Sequence, residues 1–269
     1  MFSRLFCLSI ASLGVAAALS SVAVAQTRPE APKGDWQVAA GALVGYAPAY
    51  EGADKYKVMP LPLIDVVWRE RVFLSTLNGL GAWAYRHNGF SIGGALNYEF
   101  GRAESLDRGE LDGLGDIDGA AQARLLAEYR TGPFRLDAAL ARALGGSDGT
   151  TLRIGASMAY PITEKLRLMP GIAAVWADEN YMDAYFGVTA AQSALSRARL
   201  GTAAGKSQFE AKSGVKNVDL SLMASYSLTQ NWMLRGGGGV RFLVGDAADS
   251  PISKRDTAPF VNLGLAYRW

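Results

Sequence analysis

The feature of this sequence that most restricts its fold is an alternation of apolar residues with polar or small ones. Between Phe90 and Gly101 one parity is mostly apolar and reads Phe90, Ile92, Gly94, Leu96, Tyr98 and Phe100. The other parity reads Ser91, Gly93, Ala95, Asn97, Glu99 and Gly101. A period of two places successive side chains on opposite faces of a β-strand. A tilted strand of about 9 to 11 residues can cross a bilayer, and strands in lipid must close into a barrel because no open edge is tolerated.

The same alternation recurs down the chain and predicts an all-β fold, an antiparallel transmembrane β-barrel. Counted from the C-terminus, the strands pair cleanly back to Phe90, and earlier candidates are Trp36 to Tyr46, Val58 to Trp68, Val72 to Leu77 and Gly79 to Tyr85. This count predicts about 12 strands, an even number that returns both termini to the periplasmic side. Because the piece from Val72 to Leu77 is short for a full crossing, 10 strands remain possible.

The connections between these strands alternate in length, which is a second signal of an outer-membrane barrel. Long loops are expected at Arg102 to Gly119, Asp178 to Gly214 and Val244 to Asp256, whereas the other connections are short. Barrels of this class have short periplasmic turns and long extracellular loops. Aromatic residues beside the short turns predict an interfacial girdle: Tyr85, Phe90, Tyr129, Phe134, Tyr160, Tyr226 and Trp232.

The first 25 residues have the pattern of a cleaved signal peptide. Arg4 precedes an apolar run that closes on the small residues Ala23-Val24-Ala25. We therefore expect a signal peptide at 1–25, a periplasmic N-terminal segment at 26–35 and the barrel at 36–269. The only cysteine, Cys7, lies inside the leader, so no disulfide framework is expected in the mature protein. The formal charge of +2 for the whole chain gives no sign of nucleic-acid binding.

The final strand alternates up to Tyr267 and Trp269, so the chain ends on an aromatic residue. This ending resembles the C-terminal assembly signal of outer-membrane proteins. It predicts the cell outer membrane as the location, with outer-membrane lipid and the barrel-assembly machinery as partners.

Charged residues on the inward parity of the strands are the candidates for lining the lumen. They are Glu99, Arg124, Glu128, Arg135, Asp137, Arg153, Arg167, Arg235 and Arg241. Because they mix both signs, they could line a water-filled pore or pair across the lumen and close it. The long loop after Asp178 is the candidate plug or lid, since folding inward would bury Tyr181, Tyr185 and Phe186 and block conduction.

No residue pattern predicts catalysis, a cofactor or a bound metal. The only histidine, His87, lies in a short turn without a carboxylate to orient its ring. Asp112, Asp116 and Asp118 miss the spacing of a calcium-binding loop, so we interpret them as part of a solvated loop. The glycine run 236–239 lies inside a predicted strand and precedes no helix that could hold a phosphate.

Six stretches resemble the MipA/OmpV family, the MltA-interacting outer-membrane proteins. They are Pro48–Gly52 (PAYEG), Pro60–Asp65 (PLPLID), Tyr98–Arg102 (YEFGR), Leu111–Asp118 (LDGLGDID), Trp176–Val188 (WADENYMDAYFGV) and Gly245–Ile252 (GDAADSPI). The resemblance implies a non-enzymatic scaffold that joins a murein-degrading lytic transglycosylase to a murein-synthesising penicillin-binding protein. The polar inward face of the strands supports an alternative, a small porin-like diffusion pore. A scaffold predicts partner contacts at the short periplasmic turns and at residues 26–35.

Overall fold

The computed structural model describes residues 35–269, which form one closed antiparallel β-barrel. The predicted signal peptide and almost all of the segment 26–35 lie outside the described residues. The first six strands are β1 (Trp36–Pro48), β2 (Tyr56–Trp68), β3 (Val72–Ser75), β4 (Gly79–His87), β5 (Phe90–Glu99) and β6 (Ala120–Thr131). The others are β7 (Phe134–Ala143), β8 (Thr150–Met158 with a continuation at Tyr160–Pro161), β9 (Leu166–Ala177), β10 (Gly214–Ser227), β11 (Trp232–Leu243) and β12 (Thr257–Arg268).

Each strand pairs with its neighbours in sequence, and β12 pairs with β1 to close the barrel. The closing register joins Ala39 to Arg268 and Tyr46 to Val261. The predicted class and the count of 12 strands are therefore confirmed. The up-and-down order follows from the short hairpins, which join adjacent strands without a crossover.

The outer surface of the barrel carries an apolar belt. Large apolar side chains on the outward parity remain exposed, among them Leu96, Leu125, Ile154 and Leu263. The aromatic residues of the predicted girdle also point outward at the end of the barrel that carries the short turns. An exposed belt of this kind is stable against lipid, and the short turns identify the periplasmic side.

Two irregularities interrupt the regular pairing of strands in the wall. The β3–β4 hairpin is short, because β3 ends at Ser75 and its turn lies partway up the wall. In β10 a bulge opposite Val175 and Trp176 inserts an extra residue, Lys216, between Val215 and Asn217. The bulge turns Lys216 inward, although its parity in the sequence is that of the lipid-facing residues.

The long loop 178–213 contains two helices, α1 (Glu179–Phe186) and α2 (Ala190–Leu200). Asp178 caps α1 by accepting a hydrogen bond from the backbone N–H of Tyr181, and Thr189 forms a capping box with Gln192 on α2. A short helix α3 (Asp246–Asp249) and a 3₁₀ turn at Glu104–Leu106 complete the loops. No helix within residues 35–269 is long and apolar enough to cross a membrane.

Candidate functional site

The extracellular mouth of the barrel is covered by four loops, 49–55, 100–119, 178–213 and 244–256, which we call the cap. Two apolar clusters hold the loops together. One comprises Ala49, Tyr50, Ala53, Leu111, Leu114, Val188 and Ile252. The other joins the barrel rim to α1 and α3 through Ala177, Met182, Tyr185, Phe186, Ala211, Leu243 and Ala247. Because residues from different loops share each cluster, the loops form one packed layer above the lumen.

Helix α1 presents its aromatic residues to the lumen and to the cap. Tyr181 and Tyr185 stack with ring centroids 4.4 Å apart, and Phe186 is completely buried. Two side chains from other loops hold the end of the helix: Arg102 donates to the carbonyl oxygen of Tyr185 at 2.7 Å, and Ser250 donates to that of Phe186 at 2.6 Å. The structure thus places all three residues of the candidate plug over the mouth, and their role in blocking conduction stays a prediction.

Beneath α1, a network of four charged residues joins the cap to the barrel wall. Lys216 Nζ lies 2.5 Å from Glu51 Oε1, and Arg241 Nη1 lies 3.2 Å from the same oxygen. Arg241 also binds Asp219 in a bidentate manner, with Nε and Nη2 at 2.8 and 2.9 Å from the two carboxylate oxygens. Two positive and two negative groups balance each other, which offsets the cost of burying them. We call this group the Glu51 network.

The electrostatics of the network favour an ionised Glu51. Burial alone would raise the pKa of this carboxyl, but the positive charges of Lys216 and Arg241 hold the pKa below its usual value. Burial raises the pKa of Tyr181, and the nearby charge of Glu51 raises it further. The Tyr181 hydroxyl, 3.4 Å from Glu51 Oε2, therefore stays protonated and donates to the ionised carboxylate.

The structure places the predicted lumen residues as follows. Glu99, Arg124, Glu128, Arg135, Asp137, Arg153 and Arg235 line the interior, Arg241 belongs to the Glu51 network, and Arg167 occupies an inward position of β9. Arg153 pairs with Asp137, and Arg135 lies 2.5 Å from Glu128, which also pairs with Arg130. Many of these charges therefore meet partners on adjacent strands and leave free volume between them.

Two neighbouring cavities occupy the lumen below the cap. The lower one has a volume of about 170 Å³ and the upper one about 160 Å³. Both are lined by Leu77, Arg124, Ala139 and Arg153, which therefore lie at the level where the cavities meet. The lower cavity has mainly apolar walls that include Phe73 and Trp83.

The structure shows where the residues considered for catalysis or metal binding lie and what they contact. His87 is exposed at a turn beside Tyr85, with ring centroids 6.4 Å apart. Asp112 forms an ion pair with Arg199 at 2.7 Å, and Asp116 accepts a hydrogen bond from the backbone N–H of Glu104 at 2.6 Å. No group of three or more candidate metal ligands occurs within residues 35–269.

Sequence reasoning missed three residues of the Glu51 network. Asp219 is a charged residue on the inward parity of its strand but was not among the predicted lumen residues. Glu51 lies in a short loop with no periodic signal, and Lys216 has the parity of a lipid-facing residue until the bulge turns it inward. The helices of the cap were also missed, although Asp178 and the Thr189–Gln192 capping box are signals that could have located them.

Several solved structures of outer-membrane proteins resemble this chain. Solved structures similar to the chain include a KdgM porin, with 11% identity over 86% of this chain and 99% of the other and a TM-score of 0.43. Another is the CymD monoaromatic hydrocarbon channel, with 12% identity over 87% of this chain and 88% of the other and a TM-score of 0.42. A third is OmpT of Vibrio cholerae, with 10% identity over 91% of this chain and all of the other and a TM-score of 0.40.

No curated protein matches the chain. The model of the family described as MltA-interacting protein MipA matches residues 40–269, which cover nearly the whole barrel. This match confirms the predicted family and, with it, the predicted location in the cell outer membrane. The chain belongs to the MipA family and forms an outer-membrane β-barrel.

Proposed function

We propose that this barrel is a non-enzymatic scaffold that holds a lytic transglycosylase and a penicillin-binding protein at the inner face of the outer membrane. The family description names MltA as an interaction partner, and we extend that partnership to this chain. The observation that favours a scaffold over a pore is the packed cap, in which Phe186, Leu111 and Ile252 are completely buried.

The surface available to such partners is the periplasmic rim, formed by the turns 69–71, 88–89, 132–133, 162–165 and 228–231. Arg71 and Lys165 are exposed on this rim. Neither has an ion-pair partner within residues 35–269. Unpaired positive charges on a rim attract acidic protein surfaces and steer their approach. We therefore propose that Arg71 and Lys165 contribute to partner docking.

A cross-linking pull-down from intact envelopes tests this proposal. The tagged wild-type protein is expected to enrich a lytic transglycosylase or a penicillin-binding protein over an unrelated barrel of similar abundance. The double variant Arg71→Glu/Lys165→Glu should recover several-fold less of these enzymes. Arg255→Glu, a charge reversal on the extracellular side, is the matched control and should behave as wild type. Recovery of only assembly factors by all three proteins would reject the scaffold.

A small diffusion pore is the second candidate, favoured by the charged residues that line the cavities below the cap. A pore predicts steady conductance in a planar bilayer, and charge reversal at Arg124 or Arg153 should change its ion selectivity. The capped scaffold predicts that correctly folded wild-type protein is silent. The same preparation therefore distinguishes the two functions.

A further inference from the structure

The barrel wall has a gap on one side. The β2–β3 ladder ends at Asp65 and Ser75, and the β4–β5 ladder ends at Leu80 and Leu96. Above the hairpin turn 76–78, β2 and β5 continue toward the cap without pairing with each other. We call this gap the notch. Residues 56–63 of β2 thus leave about 25 Å of strand edge without a strand partner, at a rise of ~3.3 Å per residue.

The sequence of β2 removes hydrogen-bond donors from this edge. Ile64 exchanges hydrogen bonds with Thr76 of the hairpin, since Thr76 N donates to its carbonyl oxygen and Ile64 N donates to Thr76 Oγ1. Along a strand, the backbone groups of residues two or four positions apart point to the same edge. Pro62 and Pro60 lie two and four positions before Ile64, so their backbones face the notch. Proline has no N–H, and an edge without those donors costs less in contact with lipid.

The interior behind the notch is apolar, unlike the charged lumen beside it. Met59 is buried, and Leu61 and Leu63 also point inward from β2. They pack in one cluster with Leu77 at the tip of the hairpin and with Met223 across the lumen. On the outward face, Val58 and Ile64 are exposed to lipid. From Val58 to Ile64, both faces of β2 therefore favour hydrocarbon.

The lower cavity reaches the notch, and Arg124 is one of the charged residues that line it. Its lining includes the outward-facing residues Pro62 and Ile64 as well as inward-facing ones, so the cavity reaches the wall at the hairpin tip. Arg124 lies at this level, and within the described part of the chain it donates one long hydrogen bond, of 3.3 Å, to the carbonyl oxygen of Leu77. Its Nε is buried and has no hydrogen-bond partner, and no carboxylate within residues 35–269 lies at ion-pair distance from it.

From these observations we infer that the notch is a lateral binding site for a single-chain anionic amphiphile. The acyl chain lies in the notch against Met59, Leu61 and Leu63, and the anionic head accepts hydrogen bonds from Arg124. A buried guanidinium without a carboxylate partner binds a carboxylate or a phosphate more strongly than a neutral group of the same size. The opening of the notch at membrane depth lets such a molecule enter from the lipid while the cap stays closed. The notch lies within the membrane and is separate from the periplasmic rim proposed for the murein partners.

Photolabelling of the wild-type protein in nanodiscs of zwitterionic lipid tests the site. The probe is dodecanoate with a diazirine at the end of its chain, and the matched probe is the corresponding alcohol. The acid should label the peptide that contains residues 58–64 in a saturable manner, at least about tenfold more than the alcohol at low concentration. Unlabelled dodecanoate or lysophosphatidate should compete, and their order shows whether the head is a carboxylate or a phosphate.

Two variants and a control complete the test. Arg124→Gln should reduce labelling by the acid about tenfold, and Leu77→Trp should reduce it by filling the notch from the hairpin tip. Arg86→Gln, at the exposed periplasmic rim, should label as wild type. Heat-modifiable migration on a gel verifies that each barrel is closed. Labels spread evenly around the apolar belt, or equal labelling by acid and alcohol that neither competitor reduces, would overturn the inference.

Discussion

Replacing Glu51 with glutamine should release the cap. The substitution keeps the size of the side chain but removes the negative charge that Lys216 and Arg241 share. Asp219 alone then faces two buried cations, and leaving a buried charge unpaired costs about 3 to 5 kcal/mol. If most of this cost falls on the closed cap, its open population rises by about 10² to 10³, at 1.4 kcal/mol per factor of ten.

The pH dependence of cap opening in the wild-type protein should reveal the same ion pairs of Glu51. Because the pKa of Glu51 is lowered in the folded protein, the folded state binds this proton more weakly than the unfolded chain. Its contribution to stability is therefore complete above the ordinary pKa of 4.5 and is lost as the pH falls through the lowered folded pKa. Glu51→Gln should lack this acid-dependent step in cap opening.

Two measurements check the Glu51 prediction. Hydrogen exchange of the amides in α1 reports the open population of the cap, and planar-bilayer recording reports transient conductance. Glu51→Gln should exchange faster and show brief openings at neutral pH. Glu70→Gln, which weakens an exposed ion pair with Arg86, should change neither because such pairs contribute about 0 to 1 kcal/mol. Equal protection of α1 in wild type and Glu51→Gln would refute the assignment of this network as the cap lock.

Three further predictions test packing, closure and assembly. Phe186→Ala should destabilise the cap by about 3 to 5 kcal/mol and speed amide exchange in α1. Leu195→Ala, on the exposed face of α2, should do neither. Equal rates of amide exchange in the two variants would contradict the packing argument. Gly41→Ala should reduce the heat-modifiable fraction, because the added Cβ would lie 1.9 Å from a carbonyl oxygen of β12. Gly45→Ala is the control and should fold normally, because the atom nearest to its added Cβ is 3.9 Å away. Trp269→Ser should slow assembly by the purified barrel-assembly machinery with little change in the urea midpoint of the folded barrel, and an unchanged assembly rate would reject the terminal signal.

Much of the barrel could be predicted from residue patterns, since lipid outside and a polar lumen inside impose opposite requirements on the two faces of each strand. The strand from Phe90 shows how directly this works: Ile92 and Leu96 are exposed on the lipid side, and Ser91 and Ala95 are buried inside. The short piece after Val72 left 10 or 12 strands open. The structure decides for 12, because β3 pairs with both β2 and β4 although it does not cross the full membrane.

The sequence by itself determined the fold class, the alternation of short turns and long loops, the inward charges of the strands and the resemblance to the MipA family. These properties depend on local periodicity and on residue type, which can be read along one segment at a time. Only the tertiary structure decided that the loops close over the mouth, that Glu51 meets Lys216 and Arg241, and that the wall has a notch beside Pro60 and Pro62. Each of these features joins segments distant in the chain, and the inward turn of Lys216 depends on a bulge that breaks the period on which sequence reasoning relies.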